Sequence, residues 1–181
     1  MPEIFTIFDT ETTGLSPYKG DRLIEIAALQ IIDGEVSREE FVTLINPERN
    51  IPAEATKVNG ITSDMVKNAP KAHEVLAYFM EFIGNSTIVA HNAQFDLRFL
   101  SAELKKANLL IPLPDHQCTL EISRELFPYQ KLHNLDAVCM RLGIDTSQMN
   151  RHRALDDVIL TAKVFMRFQT IKKKHRIANK A

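Results

Sequence analysis

The chain of 181 residues is poor in cysteine: it has two, Cys118 and Cys139, and no Cys-x-x-Cys pair. A disulfide framework and a zinc knuckle are thereby excluded. Two reduced, partly buried thiols remain, as expected of a cytoplasmic protein. Long apolar runs are missing as well. No stretch approaches the roughly 18 residues that mark a membrane span, so no membrane partner is expected. The opening residues MPEIFTIFDT carry Glu3 and no basic cluster, and do not read as a signal peptide. The third deficit is net charge. Lys and Arg number 22 against 23 Asp and Glu, giving −1, which argues against a basic coat for nucleic acid. The balance is uneven, however. Six basic residues and no acid fall between Arg167 and Ala181, and the remaining 166 residues stand at −7.

What is present describes an ordinary globular domain, with 45% hydrophobic and 25% charged residues. One domain over residues 1–171 is expected, with a basic tail at 172–181. Residues 4–8 suit a short buried strand. Residues 22–32 and 35–45 are strand-like and separated by Asp33-Gly34, a hairpin turn signal. Residues 71–83, 96–107, 119–126, 134–142 and 153–171 read as helices, and 87–90 as a buried strand. Strands first, then strands mixed with helices, favour a mixed sheet flanked by helices.

Three segments carry acids at element ends. In Asp9-Thr10-Glu11-Thr12-Thr13-Gly14, residues two apart on an extended chain face the same way. Asp9 and Glu11 therefore project together, either as ligands for a hard divalent cation or as two solvated acids. His91-Asn92-Ala93-Gln94-Phe95-Asp96 follows an apolar strand. Phe99, Leu100 and Leu104 place Asp96 at the core-facing edge of its helix, where it also suits the helix dipole. In His152-Arg153-Ala154-Leu155-Asp156-Asp157 two aspartates compete. Positions 4, 7 and 11 beyond Asp157 are Thr161, Val164 and Phe168, a largely apolar stripe. Those 7 and 11 beyond Asp156 are Lys163 and Arg167, a charged one. Asp157 is thus the inward acid, and Asp156 a surface ion-pair partner. His152, on the preceding loop, becomes a candidate base if a site lies beside it. A carboxylate-only cluster selects Mg²⁺ or Mn²⁺ over zinc.

These three segments, in this order, resemble the DEDDh (DnaQ-like) 3′–5′ exonucleases. That family includes the epsilon proofreading subunit of bacterial DNA polymerase III and the exonuclease domain of Gram-positive replicative polymerases. Ile45-Asn46-Pro47, Val58-Asn59-Gly60-Ile61-Thr62 and Leu132-His133-Asn134-Leu135-Asp136 extend the similarity over residues 4–169. The resemblance implies an α/β, ribonuclease H-like fold with a five-stranded mixed sheet. It implies that Asp9, Glu11, Asp96 and Asp157 hold two divalent ions, Mg²⁺ or Mn²⁺, with His152 as general base. It also implies that Thr12, Leu15, Asn59 and Asn92 contact the 3′-terminal nucleotide. The expected partner is a nucleic acid 3′ end, DNA favoured over RNA, and a DNA polymerase subunit is a second. Epsilon subunits continue into a polymerase-binding segment; this chain stops at Ala181, so a tight contact of that type is not expected. Two other readings stay open: an RNA-trimming exoribonuclease of the same family, and a non-catalytic domain that binds nucleic acid or docks a polymerase.

Overall fold

A computed structural model describes residues 2–150 and 152–178, apart from the side chains of Arg176 and Ala178. Strand β2 (Leu23–Ile32), with the sequence LIEIAALQII, is largely apolar on both faces and buried along nearly its whole length. Asp33 and Gly34 both take positive φ (51° and 89°) and turn the chain into β3 (Glu35–Leu44). That is the backbone a two-residue hairpin turn requires. β3 is exposed and charged, as suits a sheet edge. β1 (Ile4–Thr12) runs antiparallel to β2 and parallel to β4 (Thr87–Ala90), and β4 runs parallel to β5 (His116–Cys118). The order is β3-β2-β1-β4-β5. The five-stranded mixed sheet is the one the resemblance implied.

Among the described residues there are also seven α-helices: α1 (Ala53–Asn59), α2 (Ser63–Val66), α3 (Ala72–Ile83), α4 (Ala93–Lys106), α5 (Thr119–Leu126), α6 (Leu135–Arg141) and α7 (Ala154–Ala178). The sheet separates two cores. Phe8, Ala28 and Ile88 pack with α3 and α4 on one face. Phe5, Ile7, Leu29 and Val89 pack with α6 and α7 on the other. Alternation along β1 therefore assigns its odd-numbered residues to the α7 side and its even-numbered residues to the α4 side.

Several boundaries differ from the sequence reading. β1 does not end at Phe8 but runs through Asp9, Thr10, Glu11 and Thr12, because β2 continues to pair with it as far as Leu23. Backbone pairing is indifferent to side-chain polarity, so an apolar run understates the strand. α1, α2 and β5 have 7, 4 and 3 residues, too few for a periodic signal. α4 begins at Ala93, placing Asp96 inside its first turn. α7 continues without a break past residue 171, where the basic tail was expected to begin. Residues 179–181 of that tail lie outside the described residues. Cys118 and Cys139 are both buried, and neither forms a disulfide. Among the described residues, no helix is long and apolar enough to cross a membrane.

Candidate active site

Asp9, Glu11 and Asp157 converge: one carboxylate oxygen from each lies within 4.8 Å of the others. Asp9 and Glu11 come from the α7-facing side of β1, and Asp157 from the first turn of α7. Helical spacing chose the right neighbour of the pair: Asp157 is buried, as are Thr161, Val164 and Phe168 beyond it. Asp156 points away and accepts the Asn150 N–H (2.8 Å).

Asp96 joins from the opposite face. It is buried on α4 and takes two hydrogen bonds on Oδ1, from the Thr10 hydroxyl (2.7 Å) and the Thr10 N–H (3.1 Å). Thr10 sits between Asp9 and Glu11 and points the other way. One strand thus ties an acid from each side of the sheet to the same end. Asp96 is not within the 4.8 Å group of three. His152 is exposed on the turn before α7, with φ +65°, a conformation uncommon for residues with a Cβ. His91 has its Nδ1 2.9 Å from the Thr119 hydroxyl.

A cleft of about 350 Å³ opens beside Glu11, lined by residues 10–15 together with Pro52, Ala55, Val58, Asn59 and Phe95. Leu15 and Val58 are 82% and 59% exposed at its rim, so an apolar surface faces solvent there. The wall is held by polar bonds underneath. Thr12 donates its hydroxyl to the Gly14 carbonyl (2.6 Å), and Thr13 Oγ1 accepts the Arg22 N–H (3.0 Å). A Cβ on Gly14 would fall 2.5 Å from the Asp21 carboxyl group, which would have to shift to admit it. Asn59 is buried, donates to the Thr12 carbonyl (3.4 Å), accepts the Ile61 N–H (3.0 Å) and hydrogen-bonds Glu11. Its amide braces the cleft floor. Asn92 is exposed at the N-cap of α4 with φ +66°.

Crowding has an electrostatic cost. Burial, together with the nearby Glu25 charge, pushes the Glu11 carboxyl up to about 8, against the opposing Asn59 hydrogen bond and Arg153. Burial likewise raises Asp96 above the ordinary carboxylate range. The donor set fits a divalent cation: all are carboxylate oxygens, gathered where positive charge is needed to keep them ionised. A carboxyl that holds its proton more tightly in the folded chain contributes stability at low pH and loses it as pH rises. The metal-free protein is therefore expected to lose stability between about pH 4.5 and 8, with a cation taking the protons' place above that range. Mn²⁺ at about 100 times its Kd adds about 2.7 kcal/mol, or roughly 5–11 °C in Tm for a chain this size. That rise is expected at pH 8.5 and should almost vanish at pH 5. Melting curves with Mn²⁺ and with EDTA test it, and equal shifts at both pH values would count against it.

Sequence reasoning missed Glu25. It is 2% exposed on β2, directly opposite Glu11 in the ladder. Arg153 donates to both its oxygens (2.6 and 3.2 Å), and the Ala154 N–H donates to Oε2 (3.0 Å). The single acid within the mostly apolar LIEIAALQII was the available signal, since such residues are almost never buried without a partner.

A five-stranded mixed sheet with acids gathered from its central strand and two flanking helices defines a nuclease of the ribonuclease H-like class. The chain belongs to the exonuclease (RNase T) family, which it matches over residues 6–165. It is 40% identical over 164 residues to the DNA polymerase III subunit epsilon of Rickettsia felis, covering 88% of this chain and 71% of that protein. It is 42% identical over 170 residues to the PolC-type DNA polymerase III of Thermotoga petrophila, covering 94% of this chain and 12% of the other. Its fold matches exonuclease X in complex with 5′ overhanging duplex DNA, with TM-score 0.74, 29% identity and 92% of each chain covered. An Escherichia coli exonuclease I–single-stranded DNA complex shares the fold with TM-score 0.83 at 19% identity, covering 96% of this chain and 42% of that one. The protein is accordingly a 3′–5′ exonuclease, a phosphodiester hydrolase.

Proposed function

We propose that the protein removes 5′-mononucleotides from the 3′ end of DNA, preferring single-stranded or mismatched ends, and that it proofreads for a replicative polymerase. The observation that carries this is the joining of the acid cluster to an apolar cleft sized for one terminal nucleoside. A frayed or mismatched end delivers an unstacked nucleoside at little cost, whereas a paired end must first be opened.

Asp9, Glu11 and Asp157 would hold the divalent ions, with Asp96 completing the set from α4. Bound there, two such ions supply water activation and charge stabilisation of the leaving 3′-oxygen. The protein's own groups do the rest. Leu15 and Val58 offer apolar surface to the terminal base, and Thr12 and Asn59 hold that wall in place. Asn92 stands at the start of α4, two residues after β4, beside the incoming strand. His152, exposed at the start of α7, takes the proton from the attacking water as general base. The water's oxygen becomes part of the released 5′-phosphate, and the shortened strand keeps a 3′-hydroxyl.

The test is a panel of 5′-labelled substrates with Mg²⁺ or Mn²⁺: single-stranded DNA, duplex primers with matched and mismatched 3′ ends, and RNA. Single-nucleotide ladders from the 3′ end, faster on mismatched than matched primers and abolished by EDTA, are expected. Equal or faster degradation of RNA would overturn the DNA preference and leave the exoribonuclease reading in its place.

A further inference from the structure

His152 and Asp157 both depend on where α7 begins, and an ion pair between buried Glu25 and Arg153 fixes that point. We propose that Glu25 and Arg153 are positioning residues for the reaction: together they set the first turn of α7 so that Asp157 meets Asp9 and Glu11, and His152 is held at the rim. This rests on the exonuclease reading above.

The need for such a device follows from how α7 is otherwise held. Val158, Ala162, Phe165 and Phe168 bury against Phe5, Ile7 and Leu29. Apolar contact is non-directional, so it fastens α7 to the sheet without fixing its axial register against the end of β1. Carboxylates that must converge within a few ångströms require that register. The Glu25–Arg153 fork provides it. Both Arg153 nitrogens, Nη2 at 2.6 Å and Nε at 3.2 Å, engage the two oxygens of one carboxylate. This bidentate geometry fixes orientation as well as distance. The Ala154 N–H, one of the free donors at a helix start, closes on the same carboxylate at 3.0 Å. Within α7 the Asp157 N–H then bonds the Arg153 carbonyl at 3.1 Å. The path from β2 to Asp157 is thus an unbroken chain of directional bonds, with His152 one residue before it.

The location also argues for function. Glu25 faces Glu11 across the ladder and adds a negative charge beside acids that already repel one another. A fold seeking only stability would place an apolar residue there, as at most positions of β2. The Arg153 side chain is 42% exposed, so direct contact with a DNA phosphate is the competing role. The two roles separate experimentally. A phosphate contact sets KM and the salt dependence of binding; a positioning contact sets kcat and metal affinity.

The experiment uses the full chain and three variants: Arg153→Lys, Glu25→Gln and the double. Arg153→Lys keeps the charge and loses the fork. We expect kcat on single-stranded DNA to fall about 10–100-fold and Mn²⁺ affinity, measured by calorimetry without DNA, to weaken by a similar factor. KM should stay within about twofold of the wild type, and the Tm in EDTA within roughly 3 °C, as for a substitution that leaves the core intact. The double variant should be no worse than either single, because the pair acts as a unit. Unchanged kcat and Mn²⁺ affinity in Arg153→Lys would overturn the proposal. So would an effect confined to KM and the salt slope, or a loss that vanishes once kcat is normalised to folded protein. Should the wild type bind Mn²⁺ yet leave every DNA substrate intact, the exonuclease reading fails, and the calorimetry still decides the positioning role.

Discussion

Asp157→Asn is expected to leave a folded protein that shortens a DNA 3′ end at least about 10³-fold more slowly, since metal-ion charge stabilisation supplies several kcal/mol and each 1.36 kcal/mol is a factor of ten. The substitution is nearly isosteric at a buried position, so the packing of α7 persists. It removes one of three carboxylates gathered within 4.8 Å. Two effects of opposite sign follow. Without metal, the loss of one like charge relieves repulsion, so the Tm in EDTA at pH 8 should hold or rise. With Mn²⁺, the stabilisation seen in the wild type should largely disappear. The same change at Asp156 keeps an oxygen acceptor for the Asn150 N–H and should lower the rate less than tenfold, as surface changes away from special features usually do. Rates from labelled single strands, paired with melting curves, check both signs. Near-normal turnover in Asp157→Asn would remove that residue from the site.

The second large effect belongs to His152. In His152→Ala the rate should fall about 10²–10⁴-fold, the usual contribution of a positioned general base. The metal-induced rise in Tm should stay as in the wild type, because His152 is exposed and outside the acid cluster. The two substitutions therefore differ in kind: one loses the cation, the other keeps it and loses the proton acceptor. The limb of the pH–rate profile that reports the base should also flatten in His152→Ala. A variant that turns over normally, or that loses Mn²⁺ affinity along with rate, assigns His152 some other task.

The positive φ of His152 bears on its proposed role as base. The residue sits between a carbonyl-anchored turn, where the Arg153 N–H bonds the Asn150 carbonyl at 3.2 Å, and the Glu25 fork. Its backbone is restrained on the side of Arg153 while the ring stays in solvent. Such an arrangement lets the ring reach an incoming strand without moving the helix that carries Asp157.

Much of the site was legible because its signals are local. Helical periodicity distinguished Asp157 from Asp156, since Thr161, Val164 and Phe168 follow at core-facing intervals and Lys163 and Arg167 do not. Strand alternation placed Asp9 and Glu11 on one face. The Asp33-Gly34 turn fixed the hairpin, because few residues tolerate its backbone. Signals failed where the cause is distant. The length of β1 was underestimated because its last four residues are strand by virtue of β2. The bonds that the Asn59 amide makes to Thr12, Ile61 and Glu11 had no local signal either. Neither Glu25 nor its partner could be paired from sequence, since they are separated by 128 residues.

The opening charge balance is resolved on the same terms. The near-zero total argued against nucleic acid, yet part of the acidic excess is gathered into one pocket suited to cations. What the amino-acid sequence determines by itself is the inventory: which acids are present, which face of its own element each occupies, and the order of the segments. Those follow from rotations of 100° per residue in a helix and 180° in a strand, properties of the chain next door. What only the tertiary structure decides is convergence. Three carboxylates meet, Asp96 is tied to Thr10 through the sheet, and Glu25 fixes α7. Each of these spans tens of residues of chain, and the ordering cost is met only by the packing of the whole sheet.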